Sequence, residues 1–349
     1  MRCLKSNLQM GLALMFLSLF SLIYCSNSEV NKHKQISLSA SNNTIPILTS
    51  TRDSLQFDTA LFNSRLLHLA HNKPSNKWPV KTVYPLKGAI LPYKRIVTYY
   101  GNFYSTHMGI LGELPPDQML HKLKQEVKKW ELADPITPVQ PALEYIVVTA
   151  QRSSGKDGKY RLRMPFSQVD KTMELAARIN AIVFLDVQVG HSTLQEELPR
   201  LRLYFKLPNV HLAIDPEYSM KGSEVPGSVI GTFAAEDINY ASAYLAQIVR
   251  EYNLPPKILV VHRFTKQMVT NYKNITTCPE VQFVMNMDGF GFPAKKIDTY
   301  KSWIANEPVQ FTGFKLFYKN DILSPPGRTL MTPEEVLKLY PSPSYIHYQ

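Results

Sequence analysis

The sequence predicts an α/β protein built as a (β/α)8 barrel of the TIM type, on three observations. Between Arg95 and Gln349, short apolar runs alternate with stretches of helical spacing, which argues for parallel strands joined by right-handed helical crossovers. Eight strand candidates fit into about 255 residues, the size of such a barrel. In two of the strands, side-chain parity separates an apolar face from a polar one, as expected where the outer layer packs on helices and the inner face carries a site.

In chain order the expected strands are Arg95–Tyr100, Leu143–Thr149, Ala181–Val187, Val210–Asp215, Lys257–His262, Val281–Asp288, Val309–Phe317 and a short final Tyr345–Tyr348, each an apolar run of strand length. Between them, helical spacing predicts helices over Pro116–Glu131, Ser167–Asn180, Leu194–Phe205, Ala234–Tyr252, Lys266–Lys273, Ala294–Ala305 and Thr332–Leu339. In the fourth strand Val210, Leu212 and Ile214 share one face, and His211, Ala213, Asp215 and Glu217 share the other. The sixth repeats the pattern, with Val281, Phe283, Met285 and Met287 against Gln282, Val284, Asn286 and Asp288. A doubly wound open sheet is the alternative. Its signatures are missing, since no Gly-x-Gly-x-x-Gly follows the first strand and no Gly-x-x-x-x-Gly-Lys-Ser/Thr occurs.

The N-terminus reads as an export signal over residues 1–24, in which Arg2 and Lys5 precede the mostly apolar run Met10–Tyr24. That run is about 15 residues, short of the roughly 20 needed to span a bilayer. Leu22-Ile23-Tyr24-Cys25 resembles a bacterial lipobox, which implies lipid attachment at Cys25. Simple secretion and an uncleaved anchor are the alternatives. Residues 25–90 read as a tether and N-terminal extension, rich in Ser, Asn and Thr at first, with one helix within Asp53–His71; residues 91–349 form the barrel domain.

Cys3, Cys25 and Cys278 are the three cysteines. Cys3 leaves with the signal and lipidation would occupy Cys25, so no disulfide is expected and stability must come from a large core. No metal-ligand spacing and no cofactor fingerprint is present, so neither is expected; a divalent ion held by Asp186, Glu217, His262 and Asp288 is the lesser alternative. The net charge of +11 reads first as a basic, well-solvated surface, with contact to anionic envelope polymers or lipid headgroups as the alternative. Lys and Arg are scattered, which gives no support for nucleic-acid binding.

The strand ends bring together Tyr99, Tyr100 and Asn102, Gln151, Asp186 and Gln188, Asp215 and Glu217, His262 and Asp288, with His347 closing the ring. Crowded carboxylates hold at least one proton near neutral pH, as a general acid requires. That suits acid-assisted cleavage of a glycosidic bond. Asp215 before Pro216 also suits a strand-end turn residue or cap.

Asp215-Pro216-Glu217 resembles the Asp-x-Glu element of barrel glycosidases that cut N-acetylhexosamine polymers, the chitinase-like and Chalaropsis-type lysozyme families. The resemblance implies that Glu217 protonates the leaving oxygen and that Asp215 orients the substrate acetamido group, which attacks the anomeric carbon. A wider set is similar to an uncharacterised family of bacterial exported or lipid-anchored barrel proteins: Tyr100-Gly101-Asn102, Met108-Gly109-Ile110-Leu111-Gly112, Leu185-Asp186-Val187-Gln188, Asp215-Pro216-Glu217-Tyr218, Val261-His262-Arg263-Phe264 and Asp288-Gly289-Phe290-Gly291. That resemblance implies an envelope location and brings no established reaction.

The expectation is therefore a glycoside hydrolase-like envelope protein whose partner is a glycan or envelope polymer, and which reaches the membrane through its N-terminal lipid. Glu217 and Asp215 are the catalytic pair. Asp186, Gln188, His262, Asp288, Tyr100 and Asn102 are the substrate-binding candidates. The rival expectation is a non-catalytic carbohydrate-binding or scaffold lipoprotein.

Overall fold

All eight apolar runs form strands. The computed structural model describes residues 57–323 and 329–349. Its barrel strands are β1 (Arg95–Gly101), β2 (Val139–Ala150), β3 (Ile182–Val187), β4 (Val210–Ile214), β5 (Lys257–Arg263), β6 (Val281–Met287), β7 (Phe311–Leu316) and β8 (Tyr345–Tyr348). Each pairs in parallel with the next. The ring closes because β8 also pairs with β1, Ile96 opposite Tyr345 and Tyr99 opposite Tyr348. Closure removes the exposed edges that an open sheet would present.

Parity sorts the side chains into two cores. Val210, Leu212 and Ile214 of β4, and Val281, Phe283, Met285 and Met287 of β6, pack outward among the helices. Ala213 and Val284, from the opposite faces, join a separate cluster inside the barrel. That inner cluster also holds Ile96, Ile182, Ile258 and Phe311, each the first or second residue of its strand. The floor of the barrel is therefore largely apolar, with His211 and Gln282 as buried polar members, and the inward carboxylates lie toward the C-terminal end.

An N-terminal helix seals this floor. Thr59–Leu69 starts at Asp58, whose carboxylate accepts from Leu61 N at 2.8 Å and satisfies a free amide of the first turn. Phe62 and Leu69 from this helix enter the inner cluster. Leu91 follows them, held by the buried Gln282 side chain, which accepts from Ile90 N and Leu91 N (3.0 and 3.1 Å) and donates to Leu91 O (2.6 Å). Phe62 is 2 % exposed, so Phe62→Ala should cost about 3–5 kcal/mol. Urea unfolding measures it; a loss below about 1 kcal/mol would mean that the helix does not stabilise the barrel.

Some connections depart from the expectation. Lys266–Lys273 is not one helix: two 3₁₀ turns flank the short strand Val269–Thr270, which pairs with Phe233–Ala234. Two β-branched residues favour extension there, and Asn271 takes a left-handed conformation (φ 56°) that breaks a helix. Leu194–Phe205 is divided by a 3₁₀ segment, Leu198–Leu201, around Pro199, which lacks the N–H a continuous helix needs. The strand Arg161–Arg163, antiparallel to β2, was not expected. Among the described residues no helix is long and apolar enough to cross a membrane. The proposed signal and Cys25 lie outside the described residues.

Candidate active site

At the C-terminal end of the barrel a cavity of about 510 Å³ opens between the strand ends, within the range of roughly 300–1,000 Å³ typical of small-ligand clefts. Tyr100, Gln188, Asp215, Glu217, Asp288 and Lys315 line its polar part; Tyr218, Phe264, Phe290 and Phe317 supply rings.

Asp215 is the residue after β4, and Pro216–Tyr218 forms a 3₁₀ turn directly behind it. One Asp215 oxygen accepts from Glu217 N at 3.0 Å, so the residue does cap its turn; the other lies 3.5 Å from Gln188 Nε2. The turn is clamped from outside, where Gly231 N donates to Glu217 O at 2.6 Å. A Cβ at residue 231 would stand 2.5–2.7 Å from the carbonyl oxygens of Ser219, Pro216 and Glu217. Glycine at this position is what allows the loop to hold the Glu217 backbone so closely.

Asp288, the residue after β6, pairs with Lys315 of β7 at 2.7 Å. The same ammonium lies 4.3 Å from the centre of the Tyr100 ring. Tyr100 donates to Asp186 at 3.2 Å and receives Gln188 Nε2 at 3.3 Å. Asp186 is fully buried and lies beneath the cavity lining. Below it, His262 Nε2 donates to Glu144 at 3.0 Å and lies 3.8 Å from Asp186, while its Nδ1 is 3.4 Å from Asp288. Tyr345 donates a short hydrogen bond to the other Glu144 oxygen. Glu144, His262 and His347 bring one ligand-type atom each to within 4.8 Å of one another.

Crowding and burial set the proton inventory. Burial pushes the Asp215 carboxyl up to about 7, His262 opposing the shift while Glu217 and Asp288 add to it. Burial, with the charge of Asp288, likewise raises Glu217 to about 7. Asp186 lies well above the usual carboxylate range, chiefly through burial. For His262, burial disfavours the charge, but Asp288, Glu144 and Asp186 outweigh it and raise the imidazole to about 10. His347 is pushed well below its usual range by burial and by the charges of Lys315 and His262. The site thus retains transferable protons on its carboxyls near neutrality.

The structure brings Asp215, Glu217, Asp288, Gln188 and Tyr100 to one cavity, with Asp186 and His262 directly beneath. Asn102 does not line it: its amide donates to Ile146 O at 3.0 Å and its oxygen accepts from Tyr104 N at 2.8 Å, which fastens the turn after β1. Gln151 is also outside, bonded to Ala150 O. Tyr99 faces the outer core and pairs with Tyr318 at 2.9 Å. Sequence reasoning did not single out Glu144 or Lys315. Parity was the available signal, since Glu144 alternates with Ala142 on the inward face of β2 and Lys315 with Phe311 and Gly313 on that of β7.

No protein-family model matches this sequence, and no curated protein sequence matches it. Among solved structures, one similar chain is a GH5-4 broad specificity endoglucanase from Clostridium longisporum, at 10 % identity and a TM-score of 0.35, over 65 % of this chain and 75 % of that one. A likeness at this level concerns the fold alone; the closed parallel barrel with its surrounding helices is established by the strand pairing itself.

Proposed function

We propose that this protein is a glycoside hydrolase-like barrel acting on an N-acetylhexosamine-containing glycan, with Glu217 as the acid and Asp215 as its partner. One observation carries the reading: the two carboxyls stand on one strand end, face one cavity with aromatic walls, and both titrate near neutrality. Glu217 gives its proton to the glycosidic oxygen as the bond from that oxygen to the anomeric carbon breaks. The substrate acetamido oxygen supplies the electron pair at that carbon, and ionised Asp215 stabilises the positive charge that develops on the amide. Water then opens the cyclic intermediate, returning a proton to Glu217. Phe264, Phe290, Phe317 and Tyr218 offer apolar faces for sugar rings.

The test is release of reducing ends from chitin oligomers and peptidoglycan by the purified protein. Asp215→Asn should slow turnover, because a neutral amide cannot stabilise that charge. A wild type that binds these glycans without cleaving them would establish the rival, a glycan-binding protein. The pH profile of kcat/KM should be bell-shaped with its top near 7. Glu217 loses its needed proton above that range, and Asp215 gains an unwanted one below it. The limbs belong to the coupled pair rather than to either residue. A rate still climbing at about pH 9 is incompatible with a carboxylic acid as proton donor.

The envelope location is part of the same proposal, supported by the short apolar run before Cys25. Mass spectrometry of the mature protein is expected to find Cys25 first and diacylglyceryl-modified. Another N-terminus would leave simple secretion in its place.

A further inference from the structure

Glu144, Asp186, His262 and His347 enter the barrel from β2, β3, β5 and β8, and each is at most 1 % exposed. We propose that these side chains form a binding site for one first-row divalent cation of the zinc type, inside the barrel beneath the cavity.

The ligand atoms of Glu144, His262 and His347 already lie within 4.8 Å of one another, and Asp186 stands beside His262. Glu144 Oε1 lies 3.0 Å from His262 Nε2, His262 Nε2 lies 3.8 Å from Asp186 Oδ1, and His347 Nε2 lies 4.0 Å from Glu144 Oε2. Ligands at about 2.0–2.1 Å from a tetrahedral zinc stand about 3.4 Å apart, so the three mutually close groups, Glu144, His262 and His347, reach one ion by small shifts, and Asp186 completes the set by moving in from beside His262. Two of the atoms facing the centre, His347 Nε2 and Asp186 Oδ1, are buried and have no hydrogen-bond partner among the described residues. Buried polar atoms without partners are costly, and a shared cation satisfies both.

The surroundings are built to orient the imidazoles. A histidine bound through Nε2 carries its proton on Nδ1 and needs an acceptor there. For His262 that acceptor is Asp288, at 3.4 Å. The Asn286 amide lies 3.3 Å from Nδ1 of both histidines, and its oxygen has no hydrogen-bond partner. A half-turn of this amide turns its oxygen toward Nδ1 of both histidines, the acceptor that ligation through Nε2 calls for. Gly313 beside it admits no larger residue without a shift, since a Cβ there would stand 2.5 Å from that oxygen. Two imidazoles with two carboxylates suit zinc and its neighbours rather than magnesium or calcium, which prefer oxygen alone.

The test uses the full chain without a histidine tag, stripped by chelator, dialysed and titrated with zinc chloride. The expected result is one equivalent retained per chain and a rise in Tm of roughly 5–10 °C at a hundredfold excess over Kd. His347→Ala should lose that equivalent, whereas His121→Ala, on an exposed helix face, should keep it. No retained zinc and no Tm shift in the wild type overturns the proposal, as does full retention by His347→Ala. X-ray absorption of the zinc-loaded wild type decides the matter even where the variant fails to fold: two imidazole nitrogens in the shell support the site, and fewer overturn it. None of these readouts depends on glycan cleavage, so the site stands or falls separately from the proposed reaction.

Discussion

Glu217→Gln is expected to lower glycan hydrolysis by roughly 10²- to 10⁴-fold while leaving binding nearly unchanged. Glutamine keeps the shape and hydrogen-bonding reach of the side chain but has no proton to give at neutral pH. The acid stage should suffer most with poor leaving groups, because an activated aryl glycoside departs without much protonic assistance. The discriminating measurement is therefore kcat/KM on a natural oligosaccharide and on an aryl glycoside of the same sugar, for wild type and variant. A large loss on the first and a small one on the second supports Glu217 as proton donor. Equal activity of the variant on both places the acid elsewhere, with Asp186 or Asp288 as the next candidates.

A large effect on stability is also expected at Glu197, which is fully buried. Its carboxylate accepts from Arg161 Nε (2.8 Å), Arg163 Nε (2.7 Å) and Ser192 Oγ (2.5 Å). These bonds tie the unexpected strand Arg161–Arg163 to the loop after β3, the loop that carries Gln188 into the cavity. Glu197→Ala leaves Arg161 buried with less pairing, at a cost of about 3–5 kcal/mol. The lower end is expected, because Asp157 and Glu196 continue to hold Arg161. Burial acts to raise the Glu197 carboxyl, but Arg163, Ser192 and Arg161 outweigh it and hold it below its usual value. A group depressed in the folded state stabilises above its unfolded pKa and loses that contribution as pH falls through the folded one. The gap between wild type and variant should accordingly be widest near neutrality and narrow in acid. Urea unfolding at both pH values measures it, and a gap below about 1 kcal/mol at neutrality would show that the arginines find other partners.

The barrel was legible because its signals are local. A side-chain period of two marks Val210, Leu212 and Ile214 as one face and Asp215 and Glu217 as the other, whatever the rest of the chain does. The strand-and-helix alternation is equally local, and all eight expected strands overlap observed ones. The expectation failed where local signals compete: Lys266–Lys273 has enough apolar spacing for a helix, but Val269, Thr270 and Asn271 favour an extended, broken path. Asn102 and Gln151 sit at strand ends as expected yet turn to nearby backbone carbonyls, since a free amide has many local partners.

The sequence by itself determined the alternation, the parity of β4 and β6 and the rim position of Asp215 and Glu217, because each follows from the order of neighbouring residues. Only the tertiary structure decided that Glu144, His262 and His347 meet, that Lys315 pairs with Asp288, and that the helix Thr59–Leu69 seals the opposite end. Those contacts join residues dozens to hundreds of positions apart. They exist only once strand pairing sets the register and closure of the ring turns the inward faces toward one another.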